Sequence, residues 1–130
     1  MPKNTTVLVI DDDPLLISIV EHKLNARGFR VIKASDGESG LREAENAIPD
    51  AIVLDLMMPT MDGRHVLRRL LANPALSKIP VIMLTSRRGE SDIVEAFEHG
   101  AADYLSKPFS PDELVARIDR LIGSRRAARS

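Results

Sequence analysis

Four apolar residues in a row, Val7-Leu8-Val9-Ile10, stop abruptly on three aspartates, Asp11, Asp12 and Asp13. An uninterrupted run of β-branched and leucine side chains suits a strand covered on both faces, as in a parallel sheet, better than a strand with one face in water. Asp13-Pro14 then forms an N-cap and first-turn pair, and Leu16, Ile19, Val20, Lys23 and Leu24 follow at helical spacing until Gly28 offers a stop. A buried strand that passes directly into a helix is the unit from which α/β domains are built.

The unit recurs along the chain. Val31-Ile32 predicts a second strand, and Leu41, Ala44 and Ile48 set an apolar helical stripe ending before Pro49. Residues 51–54 predict the third strand. Beyond the turn from Met58-Pro59 to Asp62-Gly63, Val66, Leu67, Leu70 and Leu71 repeat at helical spacing until Pro74. Residues 81–84 predict the fourth strand, a fourth helix carries Ile93, Val94 and Phe97 and stops near Gly100, and residues 102–105 predict the fifth strand. Ser110-Pro111-Asp112-Glu113 has capping-box spacing, and Leu114, Val115, Ile118, Leu121 and Ile122 supply the last stripe. Five strands alternating with five helices predict a parallel sheet covered on both faces by right-handed crossovers; periodicity does not give the strand order. A chain of 130 residues holds one such domain, taken as residues 1–123. Residues 124–130, with Arg125, Arg126 and Arg129 and no apolar stripe, read as an Arg-rich tail or linker.

Composition removes several function classes. There is no cysteine, which excludes disulfides, thiolate metal sites and cysteine nucleophiles. A net charge of −1 gives the domain no electrostatic basis for direct nucleic-acid or anionic-membrane binding. The N-terminal residues lack signal-peptide character, and no apolar stretch reaches the roughly 18 residues that cross a bilayer. A soluble, cytoplasmic protein is expected.

In a parallel α/β sheet the ligand crevice lies beyond the carboxyl ends of the strands, and the unusual polar residues fall there. Asp11 and Asp12 follow the first strand, Asp55 ends the third, Thr85 and Ser86 end the fourth, and Lys107-Pro108 follows the fifth. Three converging carboxylates repel one another unless a cation sits among them or some stay protonated. A hard divalent cation fits this oxygen donor set, so Mg2+, or alternatively Mn2+, is predicted. Lys107 supplies a positive charge and Thr85 a hydroxyl, which a transferring phosphoryl group needs besides metal, leaving Asp55 as a carboxylate nucleophile. Asp13 reads as a helix cap, His22, His65 and His99 as helix residues without a second ligand in register, Arg87 and Arg88 as a solvated loop, and Met57, Met58 and Met61 as packing or loop residues.

The segments Val7-Leu-Val-Ile-Asp-Asp-Asp-Pro14, Asp55-Leu-Met-Met-Pro-Thr-Met-Asp-Gly63, Met83-Leu-Thr-Ser86 and Asp103-Tyr-Leu-Ser-Lys-Pro-Phe109 together resemble the receiver domains of bacterial response regulators, over about residues 5 to 122. The resemblance implies the chemotaxis-regulator-like, flavodoxin-like (βα)5 fold with strand order 2-1-3-4-5. It implies that Asp55 accepts a phosphoryl group from a sensor histidine kinase or phosphotransfer protein. Asp12 then binds the metal directly, Asp11 mainly through water, and the backbone carbonyl of Met57 completes the protein ligands with Asp55. Thr85 and Tyr104 resemble the switch pair, Lys107 the lysine that pairs with the phosphoryl group, and Lys107-Pro108 the family's cis peptide. The face of the fourth helix, fifth strand and fifth helix then carries the signal to a downstream protein, an output domain or a phosphorylation-dependent homodimer. Met57 and Arg87 sit where the family tunes phosphoryl lifetime, and neither activates water as a carboxylate or amide does, so slow to intermediate self-dephosphorylation is expected.

Such a chain is a phosphoacceptor with self-phosphorylation chemistry rather than an enzyme. The alternative within the family is the N-terminal receiver of a longer regulator with an enzymatic or DNA-binding output. A haloacid-dehalogenase-type phosphohydrolase also uses an aspartate after a strand, but with an Asp-x-Asp pattern at its nucleophile, whereas Leu56 and Met57 follow Asp55. A flavin or dinucleotide site needs a loop of small residues after the first strand, where three aspartates would repel phosphate.

Overall fold

A computed structural model of the chain describes residues 5–58, 61–85 and 100–129, the last five by backbone alone. Strands β1 (Thr6–Ile10), β2 (Arg30–Ala34), β3 (Ala51–Asp55), β4 (Val81–Thr85) and β5 (Asp103–Ser106) form one parallel sheet in the order β2-β1-β3-β4-β5. The described helices are α1 (Pro14–Ala26), α2 (Gly37–Ala47), α3 (Gly63–Ala72) and α4 (Pro111–Arg129). This is the flavodoxin-like order that the resemblance implies. The helix predicted around Ile93, Val94 and Phe97 lies outside the described residues.

The sheet divides the core into two layers because successive strand side chains point to opposite faces. Val7, Val9, Val53 and Leu84 meet Ile17 and Val20 of α1 and Leu114 and Ile118 of α4. Leu8, Ile10, Leu54 and Met83 meet Leu41 of α2 and Val66, Leu67 and Leu70 of α3. All five residues of β3 and all five of β4 are buried, which is why their sequences read as continuous apolar runs. Edge strand β2 is exposed at both Arg30 and Lys33, so only its middle is legible as strand.

Three details depart from the sequence reading. Helix α1 buries Ile17, Val20 and Leu24, whereas Ile19 of the predicted stripe is exposed; five apolar residues among its first seven let periodicity choose the wrong face. Ile48 is not part of the α2 stripe but its exposed C-cap, in the left-handed region at φ 45°. Helix α4 does not stop at Gly123 but runs to Arg129. The alanines and arginines beyond Gly123 are good helix formers, and one exposed helical glycine costs only about 1 kcal/mol.

A β-branched side chain at positive φ is strained, while asparagine and glycine tolerate that conformation. Ile48→Asn should therefore raise the unfolding free energy by about 1 kcal/mol in a denaturant titration. A loss of stability would show that Ile48 contributes packing that outweighs its strain.

Candidate functional site

Each polar residue of the site is placed by a strand that ends in it or just before it. Asp55 is the last residue of β3 and Thr85 the last of β4, while Asp11 follows β1 and Lys107 follows β5. Asp11, Asp55 and Thr85 are buried, Lys107 is half-buried, and Asp12 is exposed at the rim. Four strand ends thus meet at one edge of the sheet.

Hydrogen bonds fix the carboxylates. The Asp13 N–H donates to Asp11 Oδ1 at 2.9 Å, and Lys107 Nζ donates to Asp11 Oδ2 at 3.1 Å. The same ammonium lies 3.6 Å from Asp55 Oδ2, while the Met57 N–H donates to Asp55 Oδ1 at 3.0 Å. The Lys107 N–H donates to the Thr85 carbonyl at 2.6 Å, and the Lys107–Pro108 peptide is cis. Lys107 is therefore held by its backbone to β4 and by its side chain to the carboxylates after β1 and β3.

One carboxylate oxygen from each of Asp11, Asp12 and Asp55 lies within 4.8 Å of the others, a donor set that could hold a cation. Without one, burial pushes the Asp55 carboxyl up, and the charges of Asp11 and Asp12 add to this. The Met57 N–H and the Lys107 ammonium oppose it, and the balance is about 6 against an ordinary 3.8. For Lys107, burial acts downward, but the hydrogen bond and charge of Asp11, with the charges of Asp55 and Asp12, hold the ammonium above its ordinary value.

Tyr104 is buried on β5 in the layer shared with α2 and α3, and by strand alternation from Val81 and Met83 Thr85 falls on that same face. Asp13 caps α1, its side chain accepting from the Leu15 and Leu16 N–H groups. His22 and His65 are exposed on their helices; Ser86, Arg87, Arg88 and His99 lie outside the described residues. Two contributions escaped the sequence reading. Asp13 also orients Asp11 through its backbone, and Gly63, which reads as a turn residue, lets α3 start against the backbone of Asp55 and Leu56. A Cβ there would sit 2.8 Å from Leu56 Cα and closer still to the Asp55 carbonyl oxygen. The Asp62-Gly63 pair was visible in sequence, but nothing near it pointed to Asp55.

This architecture and acidic cleft define a class that comparison with known proteins specifies. The response regulator receiver domain family matches residues 7–119, and the chain belongs to that family, the receivers of two-component signalling. The chain is 41% identical over 119 residues to the alkaline phosphatase synthesis transcriptional regulatory protein PhoP of Bacillus subtilis, covering 92% of this chain and 49% of the regulator. It thus spans about half the length of the curated relatives it matches first. Among solved structures, the receiver domain of Francisella response regulator 1452 superposes with a TM-score of 0.87 at 35% identity, covering 93% of this chain and 98% of that one. The receiver domain of sensor histidine kinase PA1611 from Pseudomonas aeruginosa PAO1 superposes with a TM-score of 0.84 at 32% identity, covering 92% and 98%. That structure has a magnesium ion coordinated in its active site cleft. Receiver domains partner with histidine kinases and are generally phosphoacceptors rather than enzymes. Among the described residues no helix is long and apolar enough to cross a membrane.

The raised Asp55 value has a consequence for stability. Unfolded, this carboxyl ionises near 3.8; folded, near 6, so the folded state holds its proton more tightly. The group favours folding fully below its unfolded value, and that contribution is lost as pH rises through the folded one. In chelator at pH 7, Asp55→Asn should therefore be more stable than the parent by about 1–3 kcal/mol, a difference that shrinks toward pH 4. Equal stability of the two proteins across this range would show that the buried charge costs nothing.

Proposed function

We propose that this receiver accepts a phosphoryl group on Asp55 from a sensor histidine kinase or phosphotransfer protein, with Asp11, Asp12, Asp55 and the Met57 carbonyl holding Mg2+, and passes the change to a partner or output domain. The observation that carries this reading is the grouping of three carboxylates around one lysine at the carboxyl edge of the sheet, in a family whose members are phosphoacceptors. Mg2+, for which Mn2+ can substitute, supplies a charge sink for the phosphoryl oxygens. Both Asp11 oxygens already accept a hydrogen bond, which favours Asp12 and Asp55 as direct ligands and Asp11 as one acting through water.

An Asp55 oxygen attacks phosphorus in line; the phosphorus–nitrogen bond of the donor phosphohistidine breaks, and the imidazole leaves with its electron pair. Lys107, now close to Asp55, pairs with the phosphoryl oxygens, and the Thr85 hydroxyl donates to one of them. Thr85 and Tyr104 share one face of the sheet, so movement of the first makes room for the second. That couples the site to the surface beside β5. The phosphodonor approaches past Leu15 and Ile19, whose exposed side chains line a groove of about 430 Å³ with Phe109 and Lys107. An apolar groove opening beside the phosphoacceptor suits a partner helix that carries the phosphohistidine.

Several relatives are named as transcriptional regulators and are about twice the length of the match, which favours a DNA-binding output elsewhere in a longer protein as the second reading. Residues 124–129 then continue α4 toward that domain as part of a linker.

Incubation with acetyl phosphate and Mg2+ should add one phosphoryl group by intact mass, and Asp55→Asn should abolish it. Lys107→Ala should reduce the phosphorylation rate by at least about tenfold, since it removes the fixed charge facing the transferring group. Native chain that takes no phosphate, or undiminished labelling of Asp55→Asn, would contradict the assignment.

A further inference from the structure

We propose that Met57 is an oxidation-sensitive site through which peroxide shortens the lifetime of the phosphoryl group on Asp55. The inference rests on the phosphoacceptor reading and adds a regulatory input to the same site.

The described methionines differ sharply in exposure. Met58 and Met83 are buried, and Met61 is packed against the core with its sulfur 2.8 Å from where a Cβ on Gly37 would stand. Met57 is 46% exposed. Its N–H donates to Asp55 Oδ1 at 3.0 Å, which anchors the root of its side chain beside the phosphoacceptor. The exposed Met57 side chain therefore starts from a backbone that is bonded to that carboxylate.

Oxidation changes what this position does to water. A thioether is apolar and a weak acceptor, and it covers its neighbours without ordering solvent. Hydrogen peroxide transfers one oxygen to the sulfur: its O–O bond breaks, the sulfur is oxidised by two electrons, and one water is released, leaving a sulfoxide. The sulfoxide oxygen is a strong acceptor. At the rim of the site it holds a water close to the acyl phosphate, and hydrolysis needs such a water to attack phosphorus and release Asp55 as a carboxylate. Oxidation thus converts a water-excluding rim into a water-binding one. A methionine sulfoxide reductase reverses the change.

The test uses the whole chain. Limited hydrogen peroxide treatment followed by peptide mass mapping should place the first sulfoxide on Met57 ahead of Met58, Met61 and Met83. After phosphorylation with acetyl phosphate and removal of the donor, the oxidised chain should lose phosphate several-fold faster than the reduced chain, and reductase treatment should restore the slower decay. Met57→Leu should show one decay rate before and after peroxide. An unchanged lifetime with Met57 fully oxidised, the same acceleration in Met57→Leu, or equally rapid oxidation of the buried methionines would overturn the inference. A reduced chain that takes up no phosphate would instead overturn the phosphoacceptor reading beneath it.

Discussion

Two carboxylates, Asp11 and Asp55, are buried at one edge of the sheet, and among the described residues one ammonium, that of Lys107, stands between them. Among the described residues this one positive charge faces three carboxylates, with Asp12 at the rim, an imbalanced donor set that could hold a cation. The rest of the fold serves that imbalance. Continuous apolar strands bring four chain segments to the same edge, the Asp13 and Met57 N–H groups fix one oxygen of each buried carboxylate, and the close start of α3 at Gly63 leaves no slack behind Asp55. A parallel sheet suits the task because every strand delivers its last residue to the same side.

In the proposed cycle the same geometry connects chemistry to signalling. Lys107 is bonded through its backbone to the Thr85 carbonyl and through its side chain to Asp11, so a group that competes for the ammonium acts on both β4 and β5. Tyr104 lies three residues before Lys107, buried among side chains of the α2 and α3 layer. Of the two strands that Lys107 touches, β4 is buried along its length between β3 and β5, and β5 is the edge of the sheet.

Strands buried on both faces were legible because burial leaves an uninterrupted apolar run, as in Val7 to Ile10, and their polar ends marked the site. Strand β2, exposed at Arg30 and Lys33, showed only its middle. Helix faces were less legible: α1 is apolar on more than one side, and which side packs depends on the sheet beneath it, so Ile19 fell on the wrong one. Helix α4 continues past Gly123 to Arg129 because loss of an apolar stripe removes a reason to pack, not a reason to be helical. The strand order came from the family resemblance, since periodicity is blind to how crossovers are wound. The backbone role of Asp13 and the close contact at Gly63 depend on three-dimensional proximity that no spacing encodes.

The claim on which this account depends is that the buried Asp55 charge is unfavourable until a cation joins the site. A carbon-13 NMR titration of the Asp55 side-chain carboxyl, with chelator and with Mg2+, measures it directly. The account predicts an apparent pKa of about 6 without metal and a clear fall on adding Mg2+. An ordinary carboxyl value in chelator that Mg2+ leaves unmoved would contradict it.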